Sequence, residues 1–155
     1  DGVSLNVLRW GDRTKPGLVL LHGNGAHAWW WAFIAPYLAE DYNVAAFDLS
    51  GMGDSSWRPA YSMRTFADEP VSVAEACGMF EHEEPPVVIG HSFGGFVTMQ
   101  TGAKHGRRFP LKAPCRQYRL LFLMPQRRCR ARRPLAGFPP PRAMACIPCV
   151  SARPR

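Results

Sequence analysis

An α/β fold with a mostly parallel sheet is what this sequence predicts, and three observations predict it. Residues 18–21 (Leu-Val-Leu-Leu), 44–47 (Val-Ala-Ala-Phe) and 87–89 (Val-Val-Ile) are continuous apolar runs without polar alternation, as strands buried on both faces are. Each runs into a turn rich in Gly, Asn, Asp or Ser. Between them lie stretches with helical spacing, so the strands are joined by crossover helices rather than by hairpins.

The elements follow in chain order. Asp1-Gly2 is a turn dipeptide, and residues 3–8 alternate with period two, as a half-exposed strand does. A turn at the very start suggests that a further strand precedes it. Residues 11–17 are a polar turn, and the first buried strand then ends in His22-Gly23-Asn24-Gly25. Residues 29–40 read as a helix, with Trp30, Phe33, Ile34 and Leu38 on one face and Pro36 arguing for a break or bend. The second buried strand enters the turn-rich loop 48–55. Ser62 is an N-cap for a helix over residues 63–77 that ends at Gly78, with Pro70 expected to distort it. The third buried strand ends in Gly90-His91-Ser92-Phe93-Gly94-Gly95, and a helix over residues 93–105 follows.

Length and apolar content, 155 residues at 46%, allow one domain with a real core. No run is apolar for long enough to span a membrane, and no basic-then-apolar leader opens the chain, so a cytoplasmic location is the default expectation. The net charge of +7 is unevenly spread. Residues 1–106 hold six Lys and Arg against all twelve Asp and Glu, whereas residues 107–155 hold thirteen Lys and Arg and no acid. This second segment also has nine of the 15 prolines and four of the five cysteines, a density that sustains neither a long amphipathic helix nor strand alternation. It reads as a basic arm for polyanions, as a cysteine-bearing metal module, or as out-of-frame translation of a GC-rich gene. The composition favours the third. Cys146 and Cys149 form one CxxC, but Cys115 and Cys129 are singletons, so no metal and no cofactor is expected. The boundary near residue 106 thus divides an α/β core, with no nucleic-acid partner expected, from a basic tail.

The strongest chemical signal is Gly90-His91-Ser92-Phe93-Gly94, a G-x-S-x-G between a buried strand and a helix. In that context the serine sits on a strained turn. The small residues two before and two after it keep strand and helix from colliding, and the hydroxyl stands above the sheet. Ser92 is therefore the candidate nucleophile. The second signal is the loop beginning His22-Gly23. A serine attacking a carbonyl creates a tetrahedral oxyanion, which backbone N–H groups stabilise. The candidates are the N–H of Phe93, next after the nucleophile, and that of Asn24, next after the His-Gly pair. The three tryptophans Trp29, Trp30 and Trp31 read as core and pocket wall.

Together, the His22-Gly23 loop, the 48–55 loop and Gly90 to Gly95 resemble the α/β-hydrolase superfamily over residues 1 to about 106. The order and spacing match that family's third, fourth and fifth strands. The resemblance implies an eight-stranded, mostly parallel sheet and a Ser–acid–His triad in that chain order. Serine at position 92 fits esterases, lipases, peptidases and carbon–carbon bond hydrolases. It argues against haloalkane dehalogenases and epoxide hydrolases, which place aspartate there. The expected partner is a small-molecule ester or acyl substrate, and the alternatives are acyl transfer, carbon–carbon cleavage, or polyanion binding by the tail.

The family's acid and histidine follow later strands, and residues 1–106 contain neither region. Asp48 therefore reads as a turn former. His91 packs or lines the pocket. His105 lies 13 residues beyond Ser92, and at about 1.5 Å per helical residue that is roughly 20 Å away. The edge of the third buried strand should be left bare, with residues 120–124 (Leu-Leu-Phe-Leu-Met) a possible filler.

Overall fold

The computed structural model describes residues 2–109 and 150–151. Residues 120–124 and the four cysteines of the basic tail lie outside the described residues. Four strands form the main sheet: β2 (Val7–Trp10), β3 (Gly17–Leu21), β4 (Asn43–Phe47) and β5 (Val87–Gly90), in the order β2-β4-β3-β5. β3 lies parallel to both β4 and β5, while β2 pairs antiparallel with β4. The three continuous apolar runs are the three parallel strands, and the fold is the α/β class predicted.

Burial follows the pleat. Every residue of β3 and β4 is buried. Val19, Leu21, Ala45 and Phe47 face one core with Val73, Ala74, Met79 and Val97. Leu18, Leu20, Val44 and Ala46 face the other, with Ala28, Trp31 and Ala35. Such two-sided burial removes the polar face that would have shown as alternation. β5 is the edge among the described residues, bonded only to β3, and its Val87 is exposed.

The connections β3→β4 and β4→β5 run in opposite directions across the sheet and cover opposite faces. A topological switch point follows at the carboxyl end of β3, where α/β sheets place their sites. His22-Gly23-Asn24-Gly25 begins there.

Two long helices expected from the sequence are each broken in two. Residues 28–31 form a 3-10 turn (Ala28–Trp31), and α1 spans only Ala35–Leu38. The 63–77 stretch divides into α2 (Met63–Phe66) and α3 (Glu69–Ala76). The cause is the same in both. Pro36 and Pro70 sit in the first turns of α1 and α3, where a missing N–H costs nothing, because inside a longer helix each would clash with the preceding turn. The ends are as expected. The Ser62 side chain accepts from Thr65 N–H at 3.1 Å, and Gly78 takes φ +68 beyond the end of α3. α4 (Phe93–His105) has the predicted bounds.

The expected strand over residues 3–8 is likewise split, into β1 (Ser4–Leu5) and β2, because Asn6 is drawn toward the β4 loop. Its N–H donates to Ser55 Oγ at 2.9 Å, and its carbonyl accepts from Asp48 N–H at 3.0 Å. Val7 and Leu8 are both buried, one in each core, so β2 is not half-exposed. One short strand comes from the basic tail, where none was expected to be sustained: β6 (Val150–Ser151) pairs antiparallel with β1.

Candidate active site

The site is built where β3, β4 and β5 end. At the end of β5 the chain turns through Ser92, with φ +52 and ψ −114, the one non-glycine residue with positive φ among those described. Such a conformation costs about 1–3 kcal/mol and persists only where the surroundings enforce it. Here His91 N–H donates to the Leu21 carbonyl at 2.9 Å, extending the β3–β5 pairing by one residue. Helix α4 then starts in a space with no room for a side chain. A Cβ on Gly90 would collide with the Gly94 carbonyl, and one on Gly94 would lie 2.5 Å from the His22 carbonyl oxygen. These contacts are the steric reason for small residues on either side of the serine. Ser92 is exposed.

The loop after β3 lies against this turn. A Cβ on Gly23 would stand 3.0 Å from His91 Nδ1 and 3.4 Å from Ser92 Cβ. Asn24 and Gly25 are the exposed centre of a tight turn closed by Ala26 N–H to the Gly23 carbonyl at 3.2 Å. Among the described residues, neither Asn24 N–H nor Phe93 N–H has a hydrogen-bond partner. Phe93 N–H is also in the first turn of the 13-residue α4, where helix N–H groups and the macrodipole favour negative charge. The structure thus brings Ser92 and the His22-Gly23 loop together.

His22 is wholly buried, and both its ring nitrogens are committed. Nε2 accepts from Leu49 N–H at 3.0 Å, which places the proton on Nδ1, 2.7 Å from the Gly23 carbonyl. Burial holds its pKa below the usual imidazole value, against the opposing Gly23 hydrogen bond and Asp48 charge. His22 is thus a neutral tie between the β3 and β4 loops. A group protonated less readily when folded removes stability as pH falls through the ordinary histidine value of about 6.5, because the unfolded chain then binds the extra proton. The urea midpoint should therefore drop between neutral pH and pH 5.5, roughly, and His22→Gln should flatten part of that slope. An unchanged slope in the variant would show another group to be responsible.

Asp48 makes the reciprocal tie. Its carboxylate accepts from Ala28 N–H at 2.5 Å, Asp54 N–H at 2.9 Å and Asn6 Nδ2 at 2.9 Å, while Ser55 Oγ donates to its carbonyl at 2.6 Å. It is 1% exposed, and beyond its own turn, where Asp54 and Ser55 bind it, it ties in the segments at Asn6 and Ala28. His91 stacks on the half-exposed Trp30, ring centroids 5.5 Å apart. Trp31 is core, whereas Trp29 is exposed. His105 Nε2 is bound to Asp68 at 2.6 Å, alongside Lys104 Nζ.

Sequence reasoning missed the buried polar cluster around Glu69. Glu69, 2% exposed, accepts from Ser50 N–H at 3.1 Å, Ser50 Oγ at 2.5 Å, and Arg58 NH2 at 3.1 Å. Burial raises its pKa, opposed by the Ser50 and Arg58 contacts. The cluster pins the 48–58 loop to α3. The available signal was an acid directly before Pro70 in a helix otherwise apolar on that side. Among the described residues no cluster of His, Cys, Asp and Glu could hold a metal ion, and no helix is long and apolar enough to cross a membrane.

The sequence matches the Alpha/beta hydrolase family over residues 18–153. This chain belongs to that family. The match runs past the compositional boundary at residue 106. Lipase LipV of Mycobacterium tuberculosis is 35% identical over 101 residues, 65% of this chain and 37% of the lipase. A fluoroacetate dehalogenase of a Burkholderia species is 37% identical over 100 residues, 60% of this chain and 31% of that enzyme. Among solved structures, a bacterial membrane phospholipase A superposes with a TM-score of 0.63 at 32% identity, covering 70% of this chain and 34% of that one. A 2-hydroxy-6-oxo-6-phenylhexa-2,4-dienoate hydrolase from a Rhodococcus species gives 0.57 at 34% identity, covering 70% and 41%. The chain therefore spans well under half the length of these α/β-hydrolases. Its relatives include, by name, a lipase, a dehalogenase and a dienoate hydrolase, which supports a hydrolase by family.

Proposed function

We propose that this chain carries the nucleophile and oxyanion elements of a serine hydrolase acting on carboxylic esters. The observation that carries the reading is Ser92, an exposed serine with positive φ between the parallel strand β5 and a helix N-terminus. Its Oγ attacks the ester carbonyl. The oxygen that becomes negative is received by the N–H groups of Asn24 and Phe93, each worth about 3 kcal/mol to such a transition state. His22, Gly23, Gly90, His91 and Gly94 hold that geometry by hydrogen bonding or by lack of bulk. Serine in place of aspartate at position 92 favours ester over epoxide or carbon–halogen cleavage. The test is a panel of aryl esters, thioesters and vinylogous diketones offered to a chain extended to the length of its relatives. Ester turnover is expected. Activity confined to diketones would shift the reading to carbon–carbon cleavage, which the Rhodococcus neighbour represents. Transfer to an alcohol in preference to water would shift it to acyl transfer.

These 155 residues alone should show no ester turnover above a Ser92→Ala control. A serine hydroxyl is a weak nucleophile until a base takes its proton. All five histidines lie among the described residues. His22 is saturated, His82 Nδ1 accepts from Glu84 N–H, His105 is bound to Asp68, and His91 is stacked on Trp30. That leaves exposed His27, two residues beyond the Asn24-Gly25 turn. Turnover well above the control that is lost in His27→Ala would identify His27 as the base.

A further inference from the structure

We infer that Asn24-Gly25 is a self-modification site, at which the asparagine side chain loses ammonia through a succinimide and reopens as aspartate or isoaspartate. The chain has three asparagines, and the structure treats them unequally. Asn6 Nδ2 donates to Asp48 Oδ2 at 2.9 Å, and the next residue is Val7, in β2. Asn43 is wholly buried, accepts from Arg9 NH2 at 2.8 Å, donates to the Cys77 carbonyl at 3.3 Å, and precedes Val44 in β4. Asn24 is exposed, its side chain has no hydrogen-bond partner among the described residues, and it precedes glycine.

Closure requires the backbone nitrogen of residue 25 to reach the side-chain carbonyl carbon of Asn24. A branched residue at that position blocks the approach, as Val7 and Val44 do for the other two asparagines. Around Gly25 there is open space: a Cβ built there meets no atom within 4 Å. Its φ of +67 and the Ala26-to-Gly23 hydrogen bond fit a type II turn, in which the central N–H is not consumed by the turn itself. Among the described residues Gly25 N–H has no partner, so neither reacting group must first break a bond.

The step balances without an outside reductant or oxidant. The Gly25 nitrogen gives up its proton and forms a bond to the Asn24 side-chain carbonyl carbon, and the side-chain nitrogen leaves as ammonia. Water then opens the cyclic imide. Attack at one carbonyl gives aspartate. Attack at the other gives isoaspartate, whose main chain is one methylene longer. If the proposed oxyanion role of Asn24 holds, both products impair it. Aspartate adds a negative charge beside a developing oxyanion, and isoaspartate displaces the N–H. The modification itself does not depend on that role.

The experiment is peptide mapping by mass spectrometry of the purified 155-residue chain, held folded in mildly alkaline buffer at physiological temperature. Fragmentation that separates aspartate from isoaspartate identifies the route. Asn24 should convert several-fold faster than Asn6 or Asn43, with isoaspartate the larger product, and Asn24→Gln should remove the signal from its peptide. A urea-unfolded sample supplies the rate of the unstructured dipeptide. The inference is overturned if folded Asn24 stays intact while the unfolded sample converts, or if aspartate alone forms. The readout makes no use of Ser92 chemistry, so its failure and the failure of the hydrolase reading are separate results.

Discussion

Ser92→Ala should lower ester turnover by roughly four to six orders of magnitude in a chain extended to the length of its relatives, as loss of a serine nucleophile does. The substitution is clean because alanine keeps the Cβ. The turn at φ +52 meets the same steric limits, and the fold should not change. What disappears is the oxygen. A residual rate above water would come from the Asn24 and Phe93 N–H groups and from substrate binding. A companion variant separates chemistry from strain. Ser92→Gly should be equally inactive, yet more stable by about 1 kcal/mol, because glycine accepts positive φ without penalty. Activity and urea midpoint would then move in opposite directions at one position. Near-normal turnover in either variant would remove Ser92 from the mechanism.

Much of the fold was legible in the sequence, and the pattern of successes has a physical basis. β3 and β4 were readable because two-sided burial leaves no polar residue to interrupt an apolar run. β5 has the same apolar run but is a partly exposed edge rather than the buried strand expected, and α4 was readable because a glycine-rich turn opens it. The helices before Pro36 and Pro70 were read as too long. The prolines were visible as breakers, but whether a proline bends a helix or starts a new one depends on the space around it. Asn6 was invisible as a strand break, since its partners Ser55 and Asp48 lie more than 40 residues away in sequence. The Ser50–Arg58–Glu69 cluster spans only 8–19 residues in sequence, but no local pattern shows that the 48–58 loop folds back onto α3. At the site, local motifs located Ser92 and the His22-Gly23 loop. The role of His22 was not local: only the long-range contact to Leu49 N–H shows that both its nitrogens are taken.

Gly94→Ala should cost about 3 kcal/mol or more of stability, although it adds a single methyl group to a helix and raises helix propensity. The methyl has nowhere to go. It would lie 2.5 Å from the His22 carbonyl oxygen, 2.7 Å from that of Leu21 and 2.8 Å from Leu21 Cβ. These atoms belong to the end of β3, the strand bonded on both sides and buried throughout, so they cannot retreat without disturbing β4 and β5. The start of α4 would have to lift instead, carrying the Phe93 N–H away from the Ser92 hydroxyl. Gly95 supplies the control. It is the next residue of the same helix, and a Cβ there meets only the Gly90 carbonyl oxygen at 3.4 Å, an ordinary contact. Gly95→Ala should therefore be neutral or gain up to about 1 kcal/mol from propensity alone. Two adjacent Gly→Ala substitutions should thus give well-separated urea midpoints, with that of Gly94→Ala far the lower. Equal midpoints would mean that the glycine at position 94 is not there to let the helix approach β3. The steric account of the turn that holds Ser92 would fall with it.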